Sequence, residues 1–131
     1  MSKILIIDDE PSIRELYRFI FSDAGHEVLL AEHGLAALEL LKTQTPDFML
    51  VDVSMPELPG DEFIKRLAKL GLTDPRLDRI PFCVMTGENF MESALNSAFA
   101  NRPGFVCYFP KMTVPEAILA KAEEAIASRG G

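Results

Sequence analysis

Nothing in this chain supplies a disulfide framework. Its two cysteines, Cys83 and Cys107, form no CxxC pair, and each lies inside an apolar run. Both are therefore expected to be small buried hydrophobes in a reducing compartment. Tryptophan is absent, and the only histidines, His26 and His33, flank an expected strand without a third partner, which argues against a zinc site. Positive charge is scarce: 13 Lys+Arg against 20 Asp+Glu leave a formal charge of −7. A nucleic-acid grip needs a basic stripe to replace phosphate counterions, so no nucleic-acid partner is expected. Long hydrophobic runs are missing too. The run after Lys3 ends at Asp8, far short of a signal-peptide core or a membrane span. A soluble, cytoplasmic chain without membrane contact is expected.

What remains is a globular composition, 48% hydrophobic and 25% charged, over 131 residues. That length is one ordinary domain, long enough to bury a core without staples. Short continuous apolar runs occur at 3–7, 27–31, 48–51, 82–85 and 105–109. Helical stripes alternate with them: Ile13, Leu16, Tyr17, Ile20 and Phe21 after Pro11; Ala37, Leu38 and Leu41; Phe63, Ile64, Leu67 and Ala68; Met91, Ala94, Leu95 and Ala98; and Ile118, Ala122, Ala125 and Ile126. Pro11 suits a first helical turn, and Gly25 suits the end of that helix. The segment GLTDPRLDRIP reads as a loop, and Ser128-Arg129-Gly130-Gly131 as a tail. The Met and Phe residues are read as core. Arg14, Arg18, Lys65, Arg66 and Lys69 are read as solvated helix faces.

Five βα units with strands apolar on both faces predict an α/β, flavodoxin-like, doubly wound (βα)5 fold. Its parallel sheet has the order 2-1-3-4-5, with helices on both sides. In such sheets ligands bind beyond the carboxyl ends of the strands, where the strand order reverses. Asp8, Asp9 and Glu10 follow the first run, Asp52 ends the third, Thr86 ends the fourth and Lys111 follows the fifth. Two carboxylates about 4 Å apart repel by roughly 4 kcal/mol at an effective dielectric of about 20, so such a cluster calls for a cation. Hard oxygen donors that leave room for water and phosphate oxygens suit Mg²⁺. With an ammonium and a hydroxyl on the same rim, the set fits a phosphoryl group poised over a central carboxylate, Asp52.

ILIIDDEPSIR, PDFMLVDVSMPELPG, VMTG and the Lys111 region resemble the response-regulator receiver domains of two-component signalling, over about residues 3 to 127. The resemblance implies one receiver domain spanning 1–131, without an output domain. It implies that Asp52 accepts a phosphoryl group from a histidine kinase or phosphotransfer protein, and that the chain is a regulator with slow autodephosphorylation, not an enzyme. Asp9, Asp52 and the Ser54 backbone carbonyl would touch Mg²⁺, with Asp8 acting through water. Lys111 and Thr86 would bond phosphoryl oxygens. Movement of Thr86 would let Tyr108 turn inward and alter the face made by the fourth helix, fifth strand and fifth helix, where a downstream protein binds. Ser54 and Glu88 would flank the phosphoryl group and tune its lifetime. The chain would be a monomer or a phosphorylation-dependent dimer.

Where the family usually has Lys-Pro, this chain has Pro110-Lys111-Met112, and Phe109 adjoins the switch position Tyr108. The segments 71–81 and 88–104 are long for the family. Two other functions compete. A constitutive interaction module would bind partners without phosphorylation. A Mg²⁺-dependent aspartyl-phosphate phosphohydrolase would want DxD and a cap, where this chain has DD and no cap-sized insertion.

Overall fold

The computed structural model describes residues 2–52, 60–86, 104–110 and 113–130. Five parallel strands, β1 (Lys3–Ile7), β2 (Glu27–Ala31), β3 (Phe48–Asp52), β4 (Phe82–Thr86) and β5 (Phe105–Pro110), form one sheet of order β2-β1-β3-β4-β5. The helices are α1 (Pro11–Asp23), α2 (Gly34–Leu41), α3 (Gly60–Gly71), the single turn α4 (Pro75–Asp78) and α5 (Pro115–Gly130). The predicted fold class and strand order are those observed.

The apolar runs are continuous because the sheet is covered on both sides. Leu5, Ile7, Met49, Val51 and Val84 alternate onto one face, where Ala37 and Leu41 of α2 and Phe63, Ile64 and Leu67 of α3 pack. Ile4, Ile6, Phe48, Leu50, Cys83 and Met85 alternate onto the other, against Tyr17 and Phe21 of α1 and Ile118 and Ala122 of α5. Ile4 to Ile7 are all fully buried, and each such side chain contributes about 1.5–3 kcal/mol. The amino-terminal ends of β1 and β3 are pinned together: the Lys3 backbone N–H donates to Asp47 Oδ2 at 2.8 Å, and Asp47 N–H donates to the Lys3 carbonyl at 2.7 Å.

Several expectations change. GLTDPRLDRIP is not all loop, because Asp74 caps α4 by accepting from Arg76 N–H at 3.3 Å, and Pro75 opens the turn. An Asx cap followed by Pro at the first helical position is a helix start in miniature. It lets Leu77 and Ile80 enter the core. The supposed tail is helical through Gly130. The α1 stripe is narrower than its spacing suggests: Tyr17 and Phe21 are buried, whereas Leu16 is 40% exposed; Phe19, read as core with the other Phe residues, is 64% exposed. Arg14 is not a free solvated charge, since its Nη1 donates to the Asp8 carbonyl at 2.8 Å. His33 caps α2, its Nδ1 accepting from Ala36 N–H at 3.1 Å.

Gly25 ends α1 with φ +94°, in open space. An L side chain is strained there without meeting any neighbour. Gly25→Ala is therefore expected to cost about 1 kcal/mol, read as a small shift in the urea midpoint at unchanged slope. Gly25→Asn, which tolerates the left-handed region, should cost less.

Candidate functional site

The carboxyl ends of β1 and β3 meet at the switch in strand order. The register Ile7↔Val51 carries Asp8 and Asp52 to neighbouring strand ends. Both are fully buried, the only buried charged residues among those described. Asp52 is still part of β3, paired with Met85 on β4. A fully buried carboxylate costs several kcal/mol of desolvation unless its surroundings compensate it. Two on adjacent strand ends are hard to explain as structure alone.

Asp8 is held at three points. Its N–H donates to the Ala31 carbonyl at 3.1 Å, extending the β1–β2 ladder. Its Oδ1 accepts from Glu10 N–H at 2.9 Å, closing the turn into α1, and its carbonyl accepts from Arg14. Glu10 then starts α1, its carbonyl accepting from Ile13 and Arg14 N–H at 3.1 Å each. The outcome is a compact acidic group: Asp8, Asp9 and Glu10 each present a carboxylate oxygen within 4.8 Å of the others, from buried through half-buried to exposed. Hard oxygen donors graded from core to solvent fit a divalent cation that keeps part of its water. Glu10 was not assigned to the metal in the sequence; the signal was its place directly after Asp8-Asp9, which the turn folds back on the pair.

Asp8 also walls a cleft of about 110 Å³ whose apolar side includes Ile13, Leu16, Tyr17 and Met85. Burial pushes the Tyr17 phenol up to about 12, and the negative charges of Asp8 and Glu116 add to the shift. A pKa raised in the folded state means that stability is full below pH 10 and falls as pH rises through about 12. Tyr17→Phe should remove about 2 kcal/mol of this alkaline loss, measured by urea unfolding at about pH 9 and about pH 12. Equal losses in both proteins would count against the assignment.

Thr86 closes β4, in register with Pro110 of β5, and the Phe109–Pro110 peptide is trans. Tyr108 is half-buried on the face shared with α2 and α3, its ring 4.7 Å from that of Phe105. Phe109 packs on the opposite face, with α1 and α5. The two neighbouring aromatics are therefore not interchangeable. Ser54, Glu88 and Lys111 lie outside the described residues, as do the rest of 53–59 and the expected helix 89–100. Among the described residues no helix is long and apolar enough to cross a membrane.

Comparison with known proteins agrees with this arrangement. The response regulator receiver domain family matches residues 4–123. A 14.6 kDa protein from the sodA1 3' region of Leptolyngbya boryana is 36% identical over 99 residues, covering 73% of this chain and 72% of its own length. Response regulator MprA of Mycobacterium sp. (strain KMS) is 33% identical over 119 residues, 91% of this chain but 48% of MprA, so the chain spans about half that relative. Among solved structures, Vibrio cholerae chemotaxis protein CheY4 superposes with a TM-score of 0.79 at 28% identity, over 95% of this chain and 98% of that one. A CheY-like receiver domain protein from Methanospirillum hungatei gives 0.82 at 25% identity, over 99% and 97%. The chain belongs to the response regulator receiver domain family, the signalling regulators of two-component systems.

Proposed function

We propose that this chain is a phosphoryl-accepting switch and that Asp52 is the acceptor. The observation that carries the reading is the pair of fully buried carboxylates, Asp8 and Asp52, on adjacent strand ends beside the Asp8–Asp9–Glu10 group. A carboxylate oxygen of Asp52 attacks the phosphorus of a phosphohistidine on a sensor kinase or phosphotransfer protein. The P–O bond forms as the P–N bond breaks, and the departing imidazole nitrogen keeps the electron pair and takes a proton. Asp8, Asp9, Asp52 and the Ser54 carbonyl would hold Mg²⁺, with Glu10 as a further oxygen donor. When bound, the ion offsets the negative charge gathered at the rim. Lys111 pairs with one phosphoryl oxygen and the Thr86 hydroxyl donates to another.

The signal then leaves through a protein contact. Engagement of Thr86 lets Tyr108 change position, and the face that the expected fourth helix would share with β5 and α5 alters its preference for a downstream partner, as a population shift between two arrangements. Ser54 and Glu88, beside the phosphoryl group, set how quickly water removes it. A cytoplasmic setting, as monomer or phosphorylation-dependent dimer, belongs to the same reading.

The test is incubation with a small acyl phosphate, followed by intact mass. One phosphoryl group per chain is expected with Mg²⁺ present, and none once the metal is chelated. Incorporation that ignores the chelator, or none under any condition, would overturn the proposal.

A further inference from the structure

β4 and β5 do not pair in a simple step. Phe82 partners Phe105, but Cys83 partners Cys107, so β5 spends one residue more than β4 at this point. The surplus residue, Val106, is a β-bulge, and it sets two successive β5 residues, Val106 and Cys107, on the face that carries Cys83, Ile118 and Ala122. Phe105 and Tyr108 take the other face. Without the bulge, Cys107 would stand opposite Val84 and point away from Cys83. With it, the two sulfurs lie 3.5 Å apart, both as free thiols. A disulfide needs about 2.05 Å between sulfurs and Cα atoms about 4.4–6.8 Å apart, a range that adjacent strands provide. The sulfurs must approach by about 1.5 Å more to bond. The chain has 2 cysteines, so within one molecule each has only the other to bond.

We propose that Cys83 and Cys107 form a redox site that closes to a disulfide on reaction with hydrogen peroxide. Cys107, only partly buried, is the thiol that peroxide reaches; Cys83 is fully buried. The Cys107 thiolate attacks a peroxide oxygen: an S–O bond forms, the O–O bond breaks, and the departing hydroxide takes a proton to become water. Cys107 is left as a sulfenic acid. The Cys83 sulfur then attacks the Cys107 sulfur: the S–S bond forms, the S–O bond breaks, and the leaving oxygen departs as water with the Cys83 proton. The thiols lose two electrons and the peroxide gains them. Burial, and next the neighbouring Cys107, push the Cys83 thiol well above the usual range, which suits the resolving and not the attacking role. The bond would fasten β4 to β5 close before Thr86. The proposal does not depend on phosphoryl acceptance at Asp52.

The experiment treats the whole folded protein with hydrogen peroxide, quenches it, denatures it and alkylates what thiol remains. Wild type should lose both alkylatable thiols together, become lighter by two hydrogens, stay monomeric on a non-reducing gel and recover with dithiothreitol. Cys83→Ser should stop at a Cys107 sulfenic acid that dimedone traps. Cys107→Ser should leave Cys83 alkylatable, its loss at least about tenfold slower than in wild type. The wild-type measurement needs no variant to fold. Retention of both thiols, a dimer linked between chains, or over-oxidation of Cys107 beside a free Cys83 would each overturn the proposal.

Discussion

Asp52→Asn should abolish phosphoryl incorporation, with a loss of at least about a thousandfold, equivalent to roughly 4 kcal/mol of barrier. The reason is chemical. An amide has no anionic oxygen to attack phosphorus, while its size and shape match the carboxylate. Asp52 is fully buried within β3, in register with Met85 and one step beyond the Ile7↔Val51 pair that brings Asp8 alongside. Removing one of two buried negative charges also relieves repulsion, so the variant's thermal midpoint should equal or exceed that of wild type when no metal is added. The two readouts together exclude unfolding as the cause of the loss. Equal incorporation in wild type and variant would remove Asp52 from its proposed role. An inactive variant with a sharply lowered midpoint would mean that Asp52 also holds the fold.

Much of this arrangement was legible because it is written locally. A strand covered on both faces has to be apolar at every position, so Ile4–Ile7 and Phe48–Val51 announce themselves, and the first charge after each run marks a strand end. That is why Asp8 and Asp52 could be paired without coordinates. Asp74-Pro75 was equally local and was missed, since a single turn has no periodicity to detect. Other features depend on contacts between distant segments. Arg14 reads as one more basic residue on a helix until the turn after β1 offers it the Asp8 carbonyl. Leu16 satisfies the helical spacing and Phe19 is read as core, yet both stay largely exposed, because α1 meets the sheet along the line of Tyr17 and Phe21. The bulge at Val106 breaks the alternation on which strand reading rests. No inspection of FVCYF shows that Val106 and Cys107 share one face, because simple alternation would put them on opposite faces.

Gly104→Ala should be among the costliest single-methyl changes in the chain. Unlike Gly25, Gly104 has no positive φ. Its restriction is space. An added Cβ would sit 2.1 Å from the Ile80 carbonyl oxygen and 3.0 Å from its carbon. Gly104 is buried, and its own carbonyl accepts from Phe82 N–H at 2.8 Å, where β4 and β5 begin to pair. To admit the methyl group, either the β4 approach through Ile80 or the start of β5 must move, and the first pairs of the β4–β5 ladder move with it. Overpacking costs about 1–3 kcal/mol where side chains can yield. Here the obstacle is backbone, so about 3 kcal/mol or more is expected, a fall in thermal midpoint on the order of 10 °C for a domain of this size. The nature of the obstacle supplies its own control. Phe82 Cδ1, at 3.4 Å, is the only side-chain atom among the nearest neighbours, so adding Phe82→Leu should not restore stability. Recovery in that double variant would show that the aromatic ring, not the Ile80 carbonyl, sets the limit. Below its midpoint Gly104→Ala should still accept a phosphoryl group, since Asp8 and Asp52 lie at the opposite end of the strands. It should therefore lose stability while keeping the chemistry, the reverse of Asp52→Asn.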